Sequence, residues 1–239
     1  MPALMLSQSA ERLPLAIYLA ARSWLLANDP DAARMISWSL HEIRPPQSPE
    51  AMAGEIIWII LCAGRSAQAA RTIEAKVWSA IRAGKPVVSA FGYRAKAAAI
   101  ERAWREREAD FAALQNVLAA DDPVRLLEWC HAIPFVGDDT QYQLAKNFGV
   151  QVCKPDIWLC RLSGFPDRPR VPVKVRFAAC MALCGDLARG SGDTIAVVDS
   201  MLWLACNKGV LVTDCEASPV TLNTGAVTAR SIYKSAPQA

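Results

Sequence analysis

The sequence predicts an all-α protein. Apolar residues recur at helical spacing from the N-terminal region to about Gly209, beyond which the periodicity fades. Segment starts are marked by a capping side chain followed by proline, as at Asp29-Pro30 and Asp122-Pro123. Segment ends are marked by glycine, as at Gly84 and Gly149. The 239 residues suffice for one large domain or two small lobes, and a 53% hydrophobic composition with mean hydropathy +0.16 excludes disorder for most of the chain.

The first two helices are expected over Ala10 to Ala27 and Pro30 to Ile43, with Asp29 capping the second. Pro45-Pro46-Gln47-Ser48-Pro49 reads as an extended connector and the best boundary in the chain. Met52, Ile56, Ile57, Ile60 and Leu61 then form the apolar face of a buried helix that ends in the turn Ala63-Gly64-Arg65-Ser66. Helix resumes at Ala67 and continues over Ile73 to Ala83, stopped by Gly84 and Lys85-Pro86. Phe91-Gly92-Tyr93-Arg94 is a turn, and Ala95 to Arg107 is an alanine-rich helix whose mixed charges, Lys96 among them, read as a solvated face. Phe111 to Leu118 is a further helix.

The stretch from Leu126 to Gly164 is the most informative. A helix capped by Asp122 ends near Ala132, and Ile133-Pro134-Phe135-Val136-Gly137 forms a compact hairpin, with Gly137 available for a special backbone angle or a close approach. Asp138, Asp139 or Thr140 caps a second helix with an apolar stripe of Tyr142, Leu144, Ala145 and Phe148. Val150 to Lys154 is extended, because Pro155 biases the residue before it away from helix. Asp156 opens the helix Ile157 to Leu162. Arg161, Arg168, Arg170, Lys174 and Arg176 form the densest basic run, interrupted by prolines, and suit phosphate contacts whose affinity falls as salt rises. Helices follow over Ala178 to Ala188 and Thr194 to Cys206, the latter capped by Asp193 and giving Trp203 to the core. Leu211 to Arg230 adds irregular or short extended segments, and Ser235 to Ala239 frays.

Net charge +3 and pI near 8.4 permit a nucleic-acid partner without requiring one. The longest purely apolar run, Ile56 to Ala63, is too short to cross a bilayer, and Leu13 to Leu26 is interrupted by Arg22. A cytoplasmic protein is expected, with no membrane partner. Its eight cysteines, Cys62, Cys130, Cys153, Cys160, Cys180, Cys184, Cys206 and Cys215, mostly fall in apolar helical patterns and read as small hydrophobes.

The hairpin, the helix after it and the aspartate, in that order, resemble the helix-hairpin-helix DNA glycosylases. Ile133 to Gly137 resembles the family's glycine- and proline-rich hairpin, and Lys154-Pro155-Asp156-Ile157-Trp158 its aspartate segment. The resemblance implies a two-lobed helical bundle with the helix-hairpin-helix motif (123–149) at the interlobe cleft. Residues 1–48 and 157–239 would build one lobe and 49–156 the other. It implies Asp156 as the catalytic carboxylate, acting on the sugar of a flipped nucleotide in double-stranded DNA, and DNA contacts by Ile133, Pro134, Phe135, Val136, Gly137, Asp138, Thr140 and Arg161. It also implies a side chain, Arg65 or its neighbours Ser66 and Gln68, that fills the gap left by the extruded base. Trp58, Trp129 and Trp158 are the candidates for a base pocket.

The family pattern is broken at three places. Asp139 stands where bifunctional members carry the lysine that forms a Schiff base, which implies a monofunctional enzyme using water. Phe135 replaces the first hairpin glycine, and Trp158 stands where many members have histidine. The matching acceptors for the family's monovalent cation, Na+ or K+, are the carbonyls of His131, Ile133 and Val136; no other cofactor is expected. The spacing of Cys180, Cys184, Cys206 and Cys215 does not resemble the iron-sulfur arrangement of some relatives. The expected activity is hydrolysis of an N-glycosidic bond by a monomer, with alkylated purines as the first substrate and hypermodified bases of phage DNA as the alternative. A non-catalytic DNA-binding protein is the reading from another class.

Overall fold

A computed structural model describes residues 13–166, 170–213 and 220–226. The start of the first expected helix, Arg168 in the basic run, Cys215, Arg230 and the terminus from Ser235 lie outside these. The described residues hold eleven α-helices, a 3-10 turn over Val87–Ser89 and one two-stranded antiparallel ribbon pairing Leu211–Val212 with Thr221–Leu222. None of the described helices is long and apolar enough to cross a membrane. The chain divides into two compact units, one from residues up to 43 together with those after 150, and one from 44–150.

In the first unit the helix Ile195–Asn207 is the core element, buried without a break from Ala196 to Leu202. The helices Leu15–Asn28, Pro30–His41, Ile157–Leu162 and Val173–Ser191 pack around it. A helix apolar on every side must be enclosed by others. Its polar residues are matched: Ser200 Oγ lies 3.0 Å from Ser39 Oγ in the interior. The start of this helix departs from expectation, since Thr194 caps it by accepting from the Val197 N–H at 3.2 Å. Asp193 is drawn elsewhere, accepting from the Tyr18 hydroxyl at 2.7 Å and pairing with Arg22 Nε at 2.9 Å. Asp29 does cap its helix, through the Asp31 N–H at 2.8 Å, and both carboxylates face Lys208 Nζ, at 3.0 and 3.5 Å. Trp203 is half-buried rather than a core residue.

The second unit is organised by Pro49–Cys62, with Ser48 as cap and proline at the first turn. Ile56, Ile57, Ile59 and Ile60 are all buried, each contributing roughly 1.5–3 kcal/mol of burial. Ala67–Arg82, Arg94–Arg105, Arg107–Ala119 and Thr140–Asn147 pack on this helix or on its neighbours. The alanine-rich segment is interrupted at Glu106, where the chain turns between two helices. Gly149 ends Thr140–Asn147 with φ +97°, and a β-carbon there would meet Pro45 at 2.9 Å, so the stop admits no side chain.

Candidate functional site

The hairpin is assembled from short-range bonds. Asp122 Oδ1 accepts the N–H groups of Val124 and Arg125, Pro123 occupies the first turn, and the helix runs to His131. The Val136 N–H then returns to the Ile133 carbonyl at 3.0 Å, and Ile133 and Val136 are buried while Pro134 and Phe135 face solvent. The expected special backbone angle falls on a different residue. Phe135 has φ +67°, whereas Gly137 is outside the left-handed region and a β-carbon on it would meet nothing within 4 Å. Left-handed backbone costs a residue with a β-carbon about 1–2 kcal/mol. The Gly137 N–H donates to Thr140 Oγ1 at 2.7 Å, which closes the entry to Thr140–Asn147; Asp139, at the capping position, makes no capping bond. Tyr142, Leu144, Ala145 and Phe148 are buried, as their spacing predicts.

A second turn lies on the same unit. Gly64, with φ +72°, ends Pro49–Cys62, and the Arg65 N–H donates to the Cys62 carbonyl at 3.0 Å. The Arg65 guanidinium sits 4.9 Å from the Phe91 ring centroid; Phe91 meets Tyr93 at 6.4 Å, and Tyr93 meets Phe135 at 6.2 Å, both edge to face. Two candidates read separately from the sequence, Arg65 and Phe135, are thus joined by a chain of aromatic rings. Lys96 lies beneath them, and the reading of it as solvated is corrected: it is 5% exposed, and its ammonium donates to the carbonyls of Ile60 and Ala63 at 2.8 and 2.6 Å. Those are the last carbonyls of a helix, which otherwise lack donors. Burial, with Arg65 nearby, pulls the Lys96 ammonium below the usual lysine range. Ser66 Oγ accepts from the Ala69 N–H at 3.3 Å and caps Ala67–Arg82, and Gln68 is exposed. Phe91 and Tyr93 carried a signal, two aromatic residues in a turn next to Arg94.

On the other unit, Asp156 has an extended backbone and caps Ile157–Leu162. Its Oδ1 accepts from Trp158 N–H at 3.0 Å and from Leu159 N–H at 3.1 Å. The residue is half-buried, and burial raises its carboxyl above the usual carboxylate range, with Asp199 adding to the rise; Lys154 and the two N–H bonds oppose it. An ordinary surface cap has its acidity strengthened by such bonds, so here the environment works against the ion. Arg161 stacks over the Trp158 ring at 4.8 Å, which places three candidates on one short helix. Arg176 Nη1 donates to the Pro155 carbonyl at 3.3 Å, a contact next to Asp156 that its place in the basic run does not predict. Arg170 and Lys174 are exposed.

The tryptophans are distributed over both units. Trp58 lies under Arg71 at 4.9 Å and Trp129 meets Phe148 at 6.2 Å, both in the unit of the hairpin, while Trp158 is in the other. None of the described cysteines is joined in a disulfide. Cys206, near Asp156, is pushed up to about 12, chiefly by burial. Cys160 is the exception to the inert pattern: bonds from Cys180 and Arg176 hold its thiol below the ordinary value. Among the described residues no group of three or more His, Cys, Asp or Glu is placed to hold a metal ion. The hairpin carbonyls are chemically suited to a hard monovalent cation, and the Ile133 oxygen, which accepts the Val136 N–H, keeps a second lone pair. No family model, curated protein or solved structure matches this chain.

Proposed function

We propose that the protein is a monofunctional DNA N-glycosylase, with Asp156 as its catalytic carboxylate. The observation that supports this most directly is the environment of Asp156. Two N–H bonds fix its Oδ1 at a helix start, yet burial and Asp199 raise its carboxyl above the usual range. Perturbation of that kind is common among catalytic carboxylates and supports this reading beside the capping role that the two bonds show.

In the reaction the bond between the base nitrogen and C1′ of the deoxyribose breaks, and its electron pair leaves with the base. Positive charge develops on the sugar, and the Asp156 carboxylate stabilises it where it appears. A water oxygen bonds to C1′ and its proton passes to Asp156 or to solvent, giving a free base and an abasic site. Asp139 lacks the amine needed for an imine, so the strand stays intact. Alkylated purines suit this equipment, because their leaving group is already cationic and needs little acid assistance. A sodium or potassium ion on the carbonyls of His131, Ile133 and Val136 would neutralise a backbone phosphate at the hairpin.

The test is incubation with oligonucleotides carrying alkylated, oxidised, deaminated and hypermodified bases, followed by alkali. Strand breaks that appear only after alkali are expected. Breaks without it would contradict the monofunctional reading, and no base release from any substrate would remove the enzymatic one.

A further inference from the structure

We infer that Tyr93 and Phe135 form a stacking platform for the unpaired bases of single-stranded DNA. The tip of the hairpin would then hold a strand by its bases and not by its phosphates alone. The inference goes beyond base excision and takes from the reading above only that the ligand is DNA.

Three independent observations meet at this place. Both residues are exposed, Tyr93 by 50% and Phe135 by 38%, and their rings touch edge to face at 71°. Single exposed apolar residues are commonplace, and here two exposed aromatic residues are in contact at a turn. Phe135 also holds its ring out from a backbone at φ +67° that glycine would adopt without strain. Strain retained under a large side chain points to a use for that side chain. The charge around the pair is divided in a way that favours bases. The Arg65 guanidinium lies 4.9 Å from the Phe91 centroid, Phe91 touches Tyr93, and Arg94 is exposed next to Tyr93 in the chain, so cations that attract a polyanion accompany the pair. Asp138, exposed and 3.8 Å from His131, and Asp139 follow the hairpin directly. Without a bound cation the exposed Asp138 repels a phosphate beside the rings, whereas the face of a base is neutral. Aromatic stacking with cations alongside is how single strands are held without regard to sequence.

The experiment is fluorescence anisotropy with the full chain, using a labelled undamaged oligothymidine and its duplex with oligoadenine. The single strand is expected to bind more tightly than the duplex. Phe135→Gly and Tyr93→Ala should each weaken the single strand by about 5- to 100-fold, and Tyr93→Ala, which lies outside the hairpin, should change the duplex by less than about threefold. Tyr93→Trp, which keeps a stacking ring, should restore binding, and thermal melting of each variant separates lost contact from lost fold. Equal losses on both forms with Tyr93→Ala, unchanged binding in the variants, or no single-strand binding overturns the inference. Neither oligonucleotide carries a lesion, so the outcomes separate cleanly. Base excision with unaffected strand binding sinks this proposal alone, and strand binding without excision sinks only the glycosylase reading.

Discussion

Tyr93 meets Phe135 edge to face, ring centroids 6.2 Å apart, and the Lys96 ammonium lies 5.9 Å from the Phe135 centroid. The contact joins the turn before Arg94–Arg105 to the hairpin after Pro123–His131. An aromatic pair of this kind contributes about 0.5–1.5 kcal/mol, close to the 1–2 kcal/mol that left-handed backbone costs at Phe135. Within the fold the two nearly cancel.

That balance predicts an ordering of variants. Phe135→Ala loses the ring contact and keeps the strained backbone, whereas Phe135→Gly loses the same contact and relieves the strain. The glycine variant should therefore be the more stable of the two by about 1 kcal/mol, after its larger unfolded-state entropy is counted. Urea midpoints measured on both variants check this. The opposite order would mean that the hairpin backbone is not under strain.

Lys96→Met should destabilise the second unit by about 1–3 kcal/mol, because the carbonyls of Ile60 and Ala63 lose the donor that reaches them from outside their helix. Methionine retains the bulk of the stem, so the loss reports the hydrogen bonds more than the packing. Equilibrium denaturation followed by tryptophan fluorescence gives the figure. A variant as stable as the parent would show that relaxation of the Ala63-Gly64 turn satisfies both carbonyls.

Much of this arrangement was legible in the residues, and what was not has a common cause. Asp29, Asp122 and Asp156 each cap the helix that their sequence position suggests, because a cap is a bond to a residue two or three places on. Asp193 has the same local signature and fails, since Tyr18 and Arg22 compete for its carboxylate from a distant part of the chain. Lys96 sits in a helix of mixed charge and is indistinguishable there from its solvated neighbours; only the fold brings the open end of Pro49–Cys62 to it. The hairpin could be located by its proline and glycine, yet which residue takes the left-handed angle depends on how Ile133 and Val136 are buried on either side. Contacts such as Tyr93 with Phe135, far apart in sequence, leave no periodic trace.

Asp156→Asn and Asp156→Ala separate the proposed catalytic role from the capping role. Asparagine caps as well as aspartate and carries no charge into a half-buried site, so the fold should be retained or gain stability. Alanine removes the acceptor for the Trp158 and Leu159 N–H groups and should cost about 1 kcal/mol. Both should lower base release by on the order of 10²–10⁴-fold. Single-turnover excision beside thermal melting tests the pair, and an asparagine variant that still releases base would remove Asp156 from the mechanism.

The raised carboxyl of Asp156 makes stability and rate run in opposite directions with pH. Burial, with Asp199 beside it, lets the folded protein keep this proton to a higher pH than the unfolded chain does. Between the ordinary carboxylate value, about 3.9, and the raised folded value, the folded state therefore binds more protons. The stabilising contribution is complete below that window, falls as pH rises through it, and is absent above it. The proposed mechanism needs the ionised form, so under it base release rises over the same interval and its acid limb lies above the usual carboxylate range. Asp156→Asn has no proton to exchange, and the stability difference between parent and variant should shift in the variant's favour as pH increases. Denaturation curves and single-turnover rates, measured across the acid range on the parent and this variant, decide the matter. Parallel slopes of stability and rate, or a stability difference that does not move with pH, would show that the burial around Asp156 does not oppose its charge.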